Sequence, residues 1–317
     1  MEALPNDILY IIHQYIFFTP MTFIDLQNAV VHWIKDKKNA RIKYGDISNW
    51  NTKFITNMNG LFKIGSDYIL NLLKVKFNED ISNWDVSNVT NMNEMFWGCE
   101  SFNQNIEKWN VSNVKNMYGM FYMCFKFDQP LNEWDVSNVE DMSFMFCKAF
   151  RFNQELNKWN VSSVKSMNGM FANLSFFNKN INDWNVSNVL DMENMFFNCK
   201  ILDSKLNKWN TSKVVTMCKM FNGASNFNQD LNNWDVSNVK NMESMFELAL
   251  KFNKPINKWN TSSVENMEKM FSFAINFNQR IENWDISNVN NFDYIFDNTY
   301  KFIYRPLIYN KRFIYVN

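Results

Sequence analysis

Tryptophan returns every 25 residues, at Trp84, Trp109, Trp134, Trp159, Trp184, Trp209, Trp234, Trp259 and Trp284. A unit of that length cannot bury an apolar face alone. A chain with this register must therefore stack each unit on its neighbours. Trp50 precedes the series by 34 residues, so the first turn carries an insertion near residues 63–76, where SDYILNLLKVKF predicts a short extra helix.

One unit reads Ile106-x-x-Trp109-x-Val111-Ser112-Asn113-Val114-x-x-Met117-x-x-Met120-Phe121-x-x-Cys124-x-x-Phe127. The alternation ending at Val111 predicts a short strand with one buried face. The three-residue spacing from Val114 to Met120 predicts a helical turn or 3₁₀ stretch. Stacking then implies a parallel strand ladder joined by short helical arcs, an α/β repeat solenoid. Gly (7) and Pro (5) are scarce, so Asn is expected to supply most turns.

The phrase WDVSNVTNMNEMFWGCESFNQNIEKW resembles the BspA-like surface-protein repeat family, a divergent relative of leucine-rich repeats, over roughly residues 46–302. The resemblance implies a leucine-rich-repeat-like fold and a role in protein–protein contact. Residues 4–35 resemble the F-box through Leu4-Pro5, Asp7, Ile8-Leu9, Asp25-Leu26 and Trp33. That likeness implies docking to the adaptor subunit of a cullin-RING ubiquitin ligase through Leu4, Pro5, Ile8, Leu9 and Ile12. The departures are His32 before Trp33 and a third helix that is short or absent. The other reading of these residues is a plain helical cap. The expected organisation is a small α-helical head at 1–43, the solenoid at 44–302 and a C-terminal cap at 303–317, where PLIYNKRFIYVN predicts a hairpin or an extra strand.

A second period of 50 residues runs inside the first. Lys108, Lys158, Lys208 and Lys258 precede tryptophan in alternate turns, with Glu133 and Asp183 among the residues between. Opposite charges on adjacent turns attract. This exposed row is a candidate partner-binding surface; duplication of a two-turn unit explains it equally well. Scattered aromatics (Trp97, Tyr122, Phe125, Phe150, Phe176, Phe197, Phe273) are either recognition anchors or packing between turns.

Catalytic chemistry is poorly supplied. The two histidines, His13 and His32, lie outside the units, and no nucleophile elbow, phosphate loop or dinucleotide fingerprint occurs. The Met-x-x-Met pairs keep strict phase with Phe96 and Phe121 and read as core rather than as soft-metal ligands. Five cysteines without C-x-x-C spacing read as reduced, partly buried thiols. Asn-x-Ser/Thr sequons such as Asn110 and Asn160 are by-products of the unit. The 32 basic and 32 acidic side chains cancel, leaving no footprint for nucleic acid. No apolar run is long enough to span a membrane, and the N-terminus shows no basic leader. The expectation is an intracellular, cytoplasmic, non-enzymatic protein with protein partners and no cofactor. Its leading function is an F-box-type substrate adaptor; the alternative is a structural or adhesive repeat protein whose head is only a cap.

Overall fold

The computed structural model describes residues 18–63 and 76–304, together with the backbone of two strands at 307–309 and 312–314. The helix expected within 63–76 falls almost wholly outside the described residues.

Helix α1 (Phe23–Lys35) begins at a reciprocal cap. Thr22 Oγ1 accepts from the Asp25 N–H, and Asp25 Oδ2 accepts from the Thr22 N–H. Leu26, Ala29, Val30 and Trp33 share one face at helical spacing and are all buried. Trp33 meets Trp50 edge-on, with centroids 5.8 Å apart, so α1 covers the first tryptophan of the stack. Helix α2 (Lys37–Tyr44) starts at Asp36, whose carboxylate accepts from the Asn39 N–H, and ends at Gly45 with φ 73°.

Beyond Gly45, the described residues up to 304 hold one three-residue 3₁₀ turn (Ile47–Asn49) and neither α-helix nor extended strand. Only single bridging residues pair, in parallel, from Asn57↔Asn91 through Asn116↔Asp141 to Asn266↔Asn291. This corrects the expected fold class. Neither the strand ladder nor the helical arcs of a leucine-rich-repeat-like α/β solenoid is formed.

Hydrogen bonding gives the reason. The Trp109 N–H turns back three residues to the Ile106 carbonyl at 3.0 Å, and Val114 does the same to Val111 at 2.9 Å. The segment read as a strand is therefore a pair of tight turns. Beyond it the donors alternate. The N–H groups of Met117, Gly119, Phe121 and Met123 donate onward to the carbonyls of Asp141, Ser143, Met145 and Cys147 at 2.8–2.9 Å. Those of Met120, Tyr122 and Cys124 close turns onto Met117, Gly119 and Phe121 at 3.0–3.2 Å. An α-helix would need bonds four residues back. The observed pattern instead needs left-handed residues at two positions per turn. They are Gly119 and Met123 in one turn, Phe144 and Lys148 in the next, and Lys219 and Gly223 further on. Each non-glycine residue there costs about 1–2 kcal/mol, which the onward bonds offset.

The interior is continuous. Indole N–H groups donate to the carbonyl 28 residues earlier, as Trp134 to Ile106 at 3.1 Å and Trp184 to Leu156 at 3.0 Å. Phe96, Phe121 and Phe146 stack at 5.6 Å steps. Tryptophans also stack on one another, Trp159 on Trp184 and Trp209 on Trp234. Asparagine works mainly through its side chain: Asn103 Oδ1 accepts from the Asp128 N–H and Asn228 Oδ1 from the Asn253 N–H, both at 2.9 Å. At the C-terminus β1 (Leu307–Tyr309) pairs antiparallel with β2 (Arg312–Ile314).

Candidate functional site

Along each turn most positions hold the same residue type in every copy, because each is committed to the core or to a side-chain bond. Among the positions that differ between copies are those of Tyr118 and Tyr122, partly exposed where they hold these tyrosines and buried where they hold Ser143, Cys147 or Ala172. In successive turns the first holds Asn93, Tyr118, Ser143, Asn168 and Glu193; the second holds Trp97, Tyr122, Cys147, Ala172 and Phe197. Both sit on the arc where the alternate N–H groups donate to the next turn.

The arc face is polarised. Toward the N-terminus Trp97 stacks on Tyr122 at 3.8 Å, and Phe144 meets Tyr118 edge-on at 5.7 Å. Lys63, paired with Glu94 at 2.6 Å, lies over the Trp97 ring at 5.0 Å, and Lys148 lies over Tyr122 at 5.8 Å. Glycine makes room for the rings. A Cβ on Gly119 would stand 2.7 Å from Trp97, and one on Gly169 would stand 2.6 Å from Phe144. Burial, then Glu94 and Asp141, raise the Tyr118 hydroxyl above its ordinary value, so it stays a neutral donor.

Toward the C-terminus the same face becomes acidic. Glu243 accepts from Lys219 Nζ at 2.7 Å, Glu247 from Asn222 Nδ2 at 2.8 Å, and Glu268 from Lys269 Nζ at 2.7 Å. Burial, then neighbouring Asp191, holds the Glu193 carboxyl above the usual carboxylate range, while Lys219 pulls the other way. Asp293 and Asp297 continue the series.

The residues singled out in the sequence fall elsewhere. Lys158 pairs with Glu133, and Lys208 Nζ with Asp183 Oδ1 at 2.6 Å, so much of this exposed row is neutralised within the chain. Lys258 reaches only the Asn233 amide oxygen, at 3.5 Å, and Lys108 makes no ion pair among the described residues. Leu4, Pro5, Ile8, Leu9 and Ile12 lie outside the described residues. Trp97 and Tyr122 were visible as scattered aromatics. Tyr118, Phe144 and the carboxylates were not, and the available signal was disagreement between copies at fixed phase.

All five thiols are free and buried. Cys124 donates its S–H to the Phe96 carbonyl at 3.0 Å, and burial pushes Cys147 up to about 11 and Cys218 up to about 12. Among the described residues no group of three or more His, Cys, Asp or Glu side chains is placed to hold a metal ion, and no helix is long and apolar enough to cross a membrane.

A family model described as Mycoplasma protein of unknown function, DUF285, matches residues 33–149, 68–182, 125–213 and 193–307. No curated protein and no solved structure matches the chain. This match, with the turns free of strands, replaces the BspA-like assignment. The ligase-adaptor function rested on a strand-and-helix repeat array with an F-box head, and its structural or adhesive alternative on the same array with a head that only caps it. The array is not formed, and the matching family carries no assigned function, so both readings are withdrawn.

Proposed function

The chain belongs to the family described as Mycoplasma protein of unknown function, DUF285, and we propose that it is a non-catalytic binding protein that takes an extended polypeptide along its arc face. The polarity of that face carries the reading. A cluster of partly exposed rings, seated over glycines, leads into a run of carboxylates that outnumber their lysines. Such a surface selects a segment with an apolar or aromatic side chain at one end and basic side chains at the other. Binding without catalysis is supported by thiols that burial keeps protonated and by His32, the one described histidine, which packs against Tyr44 at 5.7 Å.

The test is selection of displayed random peptides on the full chain, followed by anisotropy titration of the winners. They should be basic and carry an aromatic residue. Tyr122→Ala with Glu243→Gln and Glu247→Gln should weaken them at least about tenfold, with circular dichroism unchanged. Acidic winners, or winners indifferent to these substitutions, would refute the assignment.

A further inference from the structure

A different edge of the stack lies just past the arc, at residues 100, 125–126, 150–151, 175–176, 200–201 and 250–251. Its turns are held in line by backbone bonds, Lys126 N–H to Glu100 O at 3.2 Å, Ile201 N–H to Ser175 O at 3.3 Å and Lys251 N–H to Ser225 O at 3.1 Å. Lys126, Arg151, Lys200 and Lys251 are all exposed there, and Glu100 is the one carboxylate at these positions. None of the four cations forms an ion pair among the described residues, whereas Lys158 and Lys208 on the other edge do. Apolar side chains stand between the cations: Phe150 is 46% exposed, Phe176 66% and Ile201 38%.

In a chain of zero net charge, unpaired like charges on adjacent turns repel, and exposed rings lose hydrophobic stabilisation. Nothing among the described residues compensates for either. The complement is an anionic partner that also accepts apolar groups. The make-up of the row discriminates between such partners. Phe125 and Phe150 stack on each other at 5.1 Å, which takes one face of each ring, and Ile201 offers no ring at all. A nucleobase needs a free ring face. A bilayer interface needs only projecting apolar tips with cationic side chains beside them to meet phosphate.

We propose that this edge docks the protein peripherally on an anionic phospholipid bilayer, Phe150, Phe176 and Ile201 entering the headgroup–acyl boundary while Lys126, Arg151 and Lys200 contact lipid phosphates. The proposal is independent of the polypeptide assigned to the arc face.

Sedimentation of the full chain with phosphatidylcholine vesicles, with and without phosphatidylserine, tests it. Wild type should partition onto the anionic vesicles and be released by salt. Arg151→Gln with Lys200→Gln should lower partitioning about 30-fold, from two lost lysine- or arginine-type contacts. Phe150→Ser with Phe176→Ser should also lower it, while Lys158→Gln with Lys208→Gln should leave it unchanged. Circular dichroism of every variant should match wild type. Equal partitioning onto both vesicle types, indifference to either edge pair, or binding to single-stranded DNA or polyglutamate without binding to vesicles would each overturn the proposal.

Discussion

Replacing Trp184 with Phe separates the indole hydrogen bond from ring packing. Trp184 Nε1 donates to the buried Leu156 carbonyl at 3.0 Å. Phenylalanine keeps a ring in the stack but leaves that carbonyl unmet, at about 1–3 kcal/mol. The apolar area lost, on the order of 30 Å² at about 25 cal/mol per Å², adds roughly 1 kcal/mol. The expected loss is about 2–4 kcal/mol. Trp50 provides the contrast, because its Nε1 is buried with no partner among the described residues. There the same substitution removes an unsatisfied donor, and the gain offsets the lost packing to within about 1 kcal/mol of zero. Trp284 controls for position. It ends the series, yet its N–H donates to the Ile256 carbonyl at 3.0 Å, so its loss should resemble that of Trp184 rather than Trp50. Urea midpoints of the full chain, followed by circular dichroism and converted with a common m value, give the three differences. Equal losses at Trp50 and Trp184 would refute the assignment of stability to the N–H bonds.

The asparagine side chains give a parallel contrast. Asn228→Ala strands the Asn253 N–H and should cost about 1–3 kcal/mol, whereas Asn153 Oδ1 is buried without a partner among the described residues and Asn153→Ala should cost clearly less in the same urea assay. A carboxyl whose folded pKa is raised favours folding while protonated and loses that contribution as pH rises through the folded value. Glu193→Gln should therefore be more stable than wild type near about pH 8, and the gap should close toward about pH 4, as read by thermal melts across pH. Cys99, Cys124 and Cys199 are buried, and burial raises their thiols. Iodoacetamide should leave all three unlabelled until the chain unfolds, and mass spectrometry of the folded protein checks this.

The side-chain pattern was legible because burial is decided by phase. Trp109, Val114, Met117, Phe121 and Phe127 recur at fixed positions and are all buried. The backbone was not legible, because a three-residue apolar spacing serves a 3₁₀ stretch and a run of tight turns equally well. Left-handed residues separate the two, and their composition signal is only partial, with Gly98, Gly119, Asn194 and Asn198 among them. Glu94, Phe144, Lys219 and Tyr294 occupy one such position, and none of them is a residue that favours it. Bonds to the neighbouring turn hold the backbone against local preference, and single-turn reasoning does not include them. Asparagine misled for a related reason, since its abundance reflects side-chain acceptors such as Asn103 Oδ1 more than left-handed turns.

The candidate site was hidden differently. Glu243, Glu247 and Glu268 stand among unrelated neighbours in the chain, and they share a face only once each turn is laid on the last. Positions committed to the core or to the side-chain bonds cannot change without cost, so copies agree there. Where copies disagree, as between Tyr118, Ser143 and Glu193, the stacking leaves the choice free. Drift alone would leave those positions mixed along the length of the stack. At those two positions the rings are Trp97, Tyr118, Tyr122 and Phe197 and the carboxylates run from Glu193 onward, an order that a single extended partner, lying along the face in one direction, would select.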